Sequence, residues 1–194
     1  MINSYTGMKA EKTIANAPLP AGGYVAKIVN AKLEKYTWGS VCVIYFDIAE
    51  GEHKDFFKNQ YNNNQNEDKK WKGTYRLTIP EENSQYFRNN QKAFNNFIYA
   101  LEESNSGYHY DCDETKFKGK YIGVIFRNRE WEMNGNSGWT TECGTVASVA
   151  EIRENKFRPM KDKPLNGKST TTQNTSSNSS DIDSLVDEDE DLPF

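Results

Sequence analysis

The chain has 194 residues, a formal net charge of −4 and an aromatic content of 13%, a length that suits one domain of about 100–150 residues plus extensions. No stretch approaches the ~20 apolar residues of a membrane span and the N-terminus lacks a secretory pattern, so a cytoplasmic protein is expected. Cys42, Cys112 and Cys143 are odd in number and form no C-x-x-C pair, which argues for reduced thiols rather than a zinc ribbon or a redox site.

Residues 1–21 contain Pro18 and Pro20 and end at the Gly22-Gly23 pair, which reads as a loosely attached lead-in. Two β-rich runs follow, Tyr24 to Tyr36 and Ser40 to Glu50, separated by Thr37-Trp38-Gly39, and they predict a long antiparallel hairpin. In the second run Cys42, Ile44, Phe46 and Ile48 share one face, the core face, because strand side chains alternate with a period of two. His53 to Tyr61 reads as a third strand, and the polar 62–68 stretch after it as an exposed loop. Trp71 to Ile79 has strand chemistry up to Pro80. Asn83 or Ser84 can then cap a helix reaching about Glu103, with Phe87, Phe94, Phe97, Ile98 and Leu101 forming its buried stripe.

After a loop around 104–114, Lys120 to Trp131 returns to alternation, with Ile122, Val124 and Phe126 facing the core and Tyr121, Ile125, Arg127, Arg129 and Trp131 facing away. A last strand or strand pair is expected within Gly138–Arg153, and Lys156 to Pro164 is its exit. The expected fold is therefore mainly β: an OB-fold-like Greek-key barrel with one main helix, a fold used repeatedly to hold oligonucleotides, spanning residues 22–164. Residues 165–180 are almost free of apolar side chains and cannot offset the entropy of ordering, so they read as a disordered polar linker. Residues 181–194 form an acidic tail, also expected to be disordered.

The net charge conceals a division. From Gly167 onward seven acidic residues and one lysine give −6, and the rest of the chain, with 23 cations and 21 anions, carries +2. Most acidic tails only solvate a chain. This one ends in Leu192, Pro193 and Phe194 directly after Asp187, Glu188, Asp189, Glu190 and Asp191, and solvation gives no reason to finish on an aromatic ring. Phe194 suits an apolar pocket, its α-carboxylate an arginine, and the acids a basic rim, and Pro193 lowers the entropy lost on docking.

The DEDEDLPF segment resembles the C-terminal tip of bacterial single-stranded-DNA-binding proteins, in which acidic residues precede a small apolar residue, Pro and a terminal Phe. That resemblance implies that Asp187 to Phe194 recruit replication, recombination and repair proteins. The body departs from the housekeeping members, lacking their early strand and tryptophan motifs. It is more similar to divergent proteins of phages and integrated elements of Gram-positive bacteria, through Pro20–Tyr24 and the long first hairpin.

Single-stranded DNA requires cations along the backbone and rings on which bases stack. Three candidate surfaces combine the two: Arg127, Arg129 and Trp131; Lys54, Phe56, Phe57, Lys58 and Tyr61 continuing to Lys69, Lys70, Trp71, Lys72, Tyr75 and Arg76; and the hairpin tip with Lys35, Tyr36 and Trp38. Core packing is the competing fate of the large rings among them. No phosphate loop, nucleophile elbow, metalloprotease helix or dinucleotide fingerprint is present, and the acidic stretch His109 to Glu114 lacks a second ligand pair. No enzyme, cofactor or metal is expected. A homo-oligomer is compatible with the sequence, as are two other readings: a tail-bearing decoy that does not bind DNA, and an RNA-binding or annealing protein.

Overall fold

The computed structural model describes residues 18–165. The chain runs β1 (Gly22–Tyr36), β2 (Gly39–Ile48), α1 (Phe56–Asn63), β3 (Thr74–Thr78), α2 (Phe87–Ser104), β4 (Tyr121–Met133), β5 (Asn136–Ala147) and α3 (Val149–Arg153), with a 3-10 turn at Glu114–Phe117 before β4. All strand pairs are antiparallel, in the order β3-β2-β1-β4-β5. The protein is thus mainly β with one main helix. The strand order, with α2 joining β3 to β4, is OB-like, but the sheet is not closed: among the described residues no ladder joins β3 to β5, and each leaves one edge unpaired.

The alternation read from β2 is realised, with Cys42, Ile44, Phe46 and Ile48 all buried. They pack with Ile122, Val124 and Phe126 of β4 and with Phe97, Ala100 and Leu101 of α2. Each such aliphatic or aromatic side chain contributes about 1.5–3 kcal/mol on burial. A bulge between Ile28 and Asn30 shifts the register of β1, so Ala26 and Ile28 face the core before it and Ala31 packs against the core after it. The opposite face of β4 is not left to solvent. Ser148 caps α3 through a reciprocal capping box with Glu151, and a Cβ on Gly123 would lie 2.4 Å from Ile152. This close packing of α3 explains why Ile125, on the outward parity, is buried.

Four sequence expectations are corrected. His53 to Tyr61 is a turn leading into α1, not a third strand. The Asp47 carboxylate accepts the backbone N–H groups of Ile48, Phe57 and Lys58, supplying from β2 the acceptors that the first turn of a helix needs. The strand expected from Trp71 begins only at Thr74, because the Trp71 indole turns inward and donates Nε1–H to the carbonyl of Phe46 at 3.0 Å. Helix α2 starts at Phe87, since Ser84 accepts the Tyr86 N–H in a preceding turn. The lead-in is anchored at its end: Leu19 is buried in the core and its carbonyl accepts a hydrogen bond from Thr141. Residues 1–17 lie outside the described residues.

Candidate nucleic-acid interface

A groove of about 700 Å³ runs where β3 and β5 fail to pair. One wall carries Lys72, Thr74, Tyr75 and Arg76 and the other runs from Trp139 to Gly144, while Phe56, Phe57 and Gln60 of α1, Phe126, Arg127, Arg129 and Trp131 of β4, Pro18, Leu19 and Lys163 complete the lining. Among the described residues five cations (Lys72, Arg76, Arg127, Arg129 and Lys163) and one carboxylate (Glu142) line it. Such a concentration of one sign in a concavity focuses the field on an anionic ligand.

Arg127 and Arg129 share the outward parity of β4 and meet across the ladder at Glu142 of β5, with Nε to carboxylate distances of 3.0 and 3.5 Å. Two residues on, Trp131 lies over Gly138, where an added Cβ would sit 3.1 Å from the indole. The row Arg127, Arg129, Trp131 expected from the sequence is therefore real. The segment after α3 braces this part of β4: Lys163 exchanges backbone hydrogen bonds with Asn128 and Glu130, and Asn128 donates to Asp162 at 2.8 Å.

At the β1–β2 tip, the Tyr36 and Trp38 rings stack 5.2 Å apart at an interplanar angle of 10°. Arg76 of β3 lies 5.8 Å from the Tyr36 centroid and pairs with Glu34 at 3.4 Å. The Tyr36 hydroxyl also donates to Glu34, and that bond, with Arg76 and Lys32 nearby, holds the Glu34 carboxyl below its ordinary range. Arg76 thus links the hairpin tip to the groove wall, while Lys35 is exposed at the end of β1.

The second candidate cluster divides. Phe57 and Tyr75 are buried core rings, 5% and 8% exposed, and burial pushes the Tyr75 hydroxyl pKa well up; both line the groove from within the core. Trp71 is committed to Phe46 and packs beside Tyr61 with ring centroids 5.8 Å apart. These three aromatics have the packing fate rather than the stacking one. Phe56 is half-buried against the core. Lys54, Lys58 and Lys70 are exposed and Lys69 lies over the Tyr61 ring at 4.7 Å, but none of these four lysines, nor Tyr61 or Trp71, lines the groove. Of that cluster Phe56, Lys72 and Arg76 remain as groove contacts.

The sequence reading missed Trp139, Gln60 and Lys163. Trp139 is 49% exposed and sits opposite Glu130 in the ladder. The alternation of the last strand could have singled it out, but the bulge around Gly144, where Ile125 faces Thr145 and Phe126 faces Cys143, breaks the parity on which such a reading depends. Residues Asp187, Glu188, Asp189, Glu190, Asp191, Leu192, Pro193 and Phe194, with all of the 165–180 linker but Leu165, whose N–H bonds to Glu130, lie outside the described residues. Among the described residues no three or more His, Cys, Asp or Glu side chains gather as a metal site, and no helix is long and apolar enough to cross a membrane. No protein-family model and no curated protein sequence matches the chain.

Proposed function

We propose that the protein binds single-stranded DNA without strong sequence preference, in the groove between β3 and β5 and along the two hairpins beside it. The observation that carries this reading is the groove lining of five cations against one carboxylate. Near it stand four exposed rings: Tyr36 (41%), Trp38 (53%), Trp131 (37%) and Trp139 (49%). Cations neutralise phosphates and release counterions, and rings accept bases of any sequence on their faces. The OB-like strand order supports the same reading, since OB folds bind oligonucleotides across the face of their second and third strands and in the loops after the first and fourth.

The C-terminal DEDEDLPF segment completes the proposal as a docking peptide for replication, recombination and repair proteins, in a cytoplasmic binding protein rather than a catalyst. Its support is the segment's resemblance to the tip of single-stranded-DNA-binding proteins and the physical logic of Leu192, Pro193 and Phe194 behind a run of acids.

Titration with oligo-dT, followed by tryptophan fluorescence at several salt concentrations, tests the DNA reading. The expected outcome is quenching with an affinity that falls linearly in log salt. Absence of binding at low salt rejects it, and tighter binding of a matched oligo-U reassigns the groove to RNA.

A further inference from the structure

The groove's cations are of two kinds. Each of its three arginines is held by a carboxylate, Arg76 by Glu34 and both Arg127 and Arg129 by Glu142, whereas neither Lys72 nor Lys163 has an ion-pair partner among the described residues. Glu142 is also the one acidic side chain among the described residues that line the groove, where like charges repel an anionic ligand.

The geometry around Glu142 is side-on. Its two carboxylate oxygens separately meet Nε of Arg127 at 3.0 Å and Nε of Arg129 at 3.5 Å. The Nη edge of Arg127 makes no hydrogen bond among the described residues. The Arg127 side chain is only 17% exposed and Arg129 44%, so the first guanidinium is fixed by its surroundings and the second is the more open. A guanidinium held through Nε keeps its two Nη donors as a fork suited to phosphate oxygens.

We infer that Arg127 and Arg129 form a clamp for a phosphodiester, and that Glu142 is its positioning residue and its brake. This rests on the nucleic-acid reading of the groove. As a hydrogen-bond acceptor Glu142 aims the Arg127 guanidinium, and as an ion-pair partner it holds Arg129 beside it; as an anion it cancels one of their two charges and opposes the incoming phosphate. Geometry and charge are separable at Arg127 by substitution, because the single amide oxygen of a glutamine still accepts its Nε–H bond while carrying no charge.

The test compares wild type, Glu142→Gln and Glu142→Ala by oligo-dT titration across a salt series, with thermal unfolding of each variant as the folding control. Glu142→Gln is expected to bind roughly three- to tenfold more tightly at low salt, with a log–log salt slope steeper by about 0.7, as for one further phosphate neutralised on a single strand. Glu142→Ala, which loses the acceptor as well as the charge, is expected to bind more weakly than Glu142→Gln. If wild type binds and a folded Glu142→Gln binds no more tightly, the brake is rejected; if the alanine and glutamine variants bind alike, the positioning role is rejected. If wild type itself fails to bind, the nucleic-acid reading falls instead.

Discussion

The Arg76 guanidinium donates from Nη2 to the Tyr36 hydroxyl at 2.7 Å, a bond between residues forty positions apart that ties the groove wall on β3 to the tip of the β1–β2 hairpin. The same Tyr36 ring stacks on Trp38, so guanidinium, phenol and indole form one supported assembly. A supported ring is a better stacking platform than a mobile one, because less side-chain entropy is lost when a base lands on it.

Trp38→Ala is accordingly expected to weaken oligo-dT binding by about 1–3 kcal/mol. The indole is 53% exposed, so unfolding by urea should be nearly unchanged. A loss of stability without loss of affinity would make Trp38 a packing residue.

Two glycines separate packing from binding. A Cβ at Gly73 would lie 2.3 Å from the Phe46 carbonyl oxygen and 2.6 Å from the Phe57 ring, so Gly73→Ala must move backbone and is expected to cost about 1–3 kcal/mol of stability. At Gly138 the contact is the exposed Trp131 indole at 3.1 Å, which can move into solvent. Gly138→Ala should leave the melting temperature close to wild type and lower DNA affinity, read by the same titration.

Acid titration of two carboxyls should run in opposite directions. Glu50 makes a two-point contact with Arg153, and that bonding holds its pKa below the ordinary 4.5. Its stabilisation is present above 4.5 and lost as pH falls through the folded value. Because the pair is largely exposed, Arg153→Ala should lower stability only slightly at pH 7, and urea unfolding in acid should show the difference closing. Burial instead raises the Asp47 pKa above 3.8, against three backbone hydrogen bonds that lower it. Its protonated form is favoured by folding, so its contribution is greatest below pH 3.8 and declines as pH rises through the raised value.

Asp47→Ala removes the acceptor for the Phe57 and Lys58 N–H groups and is expected to cost about 1–3 kcal/mol. Amide exchange should report faster opening of α1 in particular, since no other element supplies those acceptors.

At the far end of the chain, Phe194→Ala is expected to abolish capture of replication and repair proteins that recognise the tip, leaving oligo-dT affinity at the wild-type value. Pull-down and titration on the same preparations check both halves. Retained capture would show that the acidic run alone is recognised.

Much of this architecture was legible from local chemistry. Strand period in Cys42, Ile44, Phe46 and Ile48, the helical stripe from Phe94 to Leu101, without the expected Phe87, and the parity that sets Arg127, Arg129 and Trp131 opposite Phe126 all follow from side-chain spacing along one element. The charge division between body and tail, and the apolar end behind the acids, are likewise properties of sequence alone.

Only the tertiary structure decided the rest. Phe57, Trp71 and Tyr75 look like Tyr36, Trp38 and Trp131 in sequence, each a ring near a cation, and what separates them is whether Phe46 and the core lie on the other side. The segment from Phe56 became a helix because Asp47 of β2, ten residues before Phe57, presents its carboxylate to that first turn. Glu142 meets the two arginines because β5 returns beside β4 in one particular register. Burial, capping from a distance and cross-strand pairing are relations between segments, whereas periodicity and composition are properties of a single one.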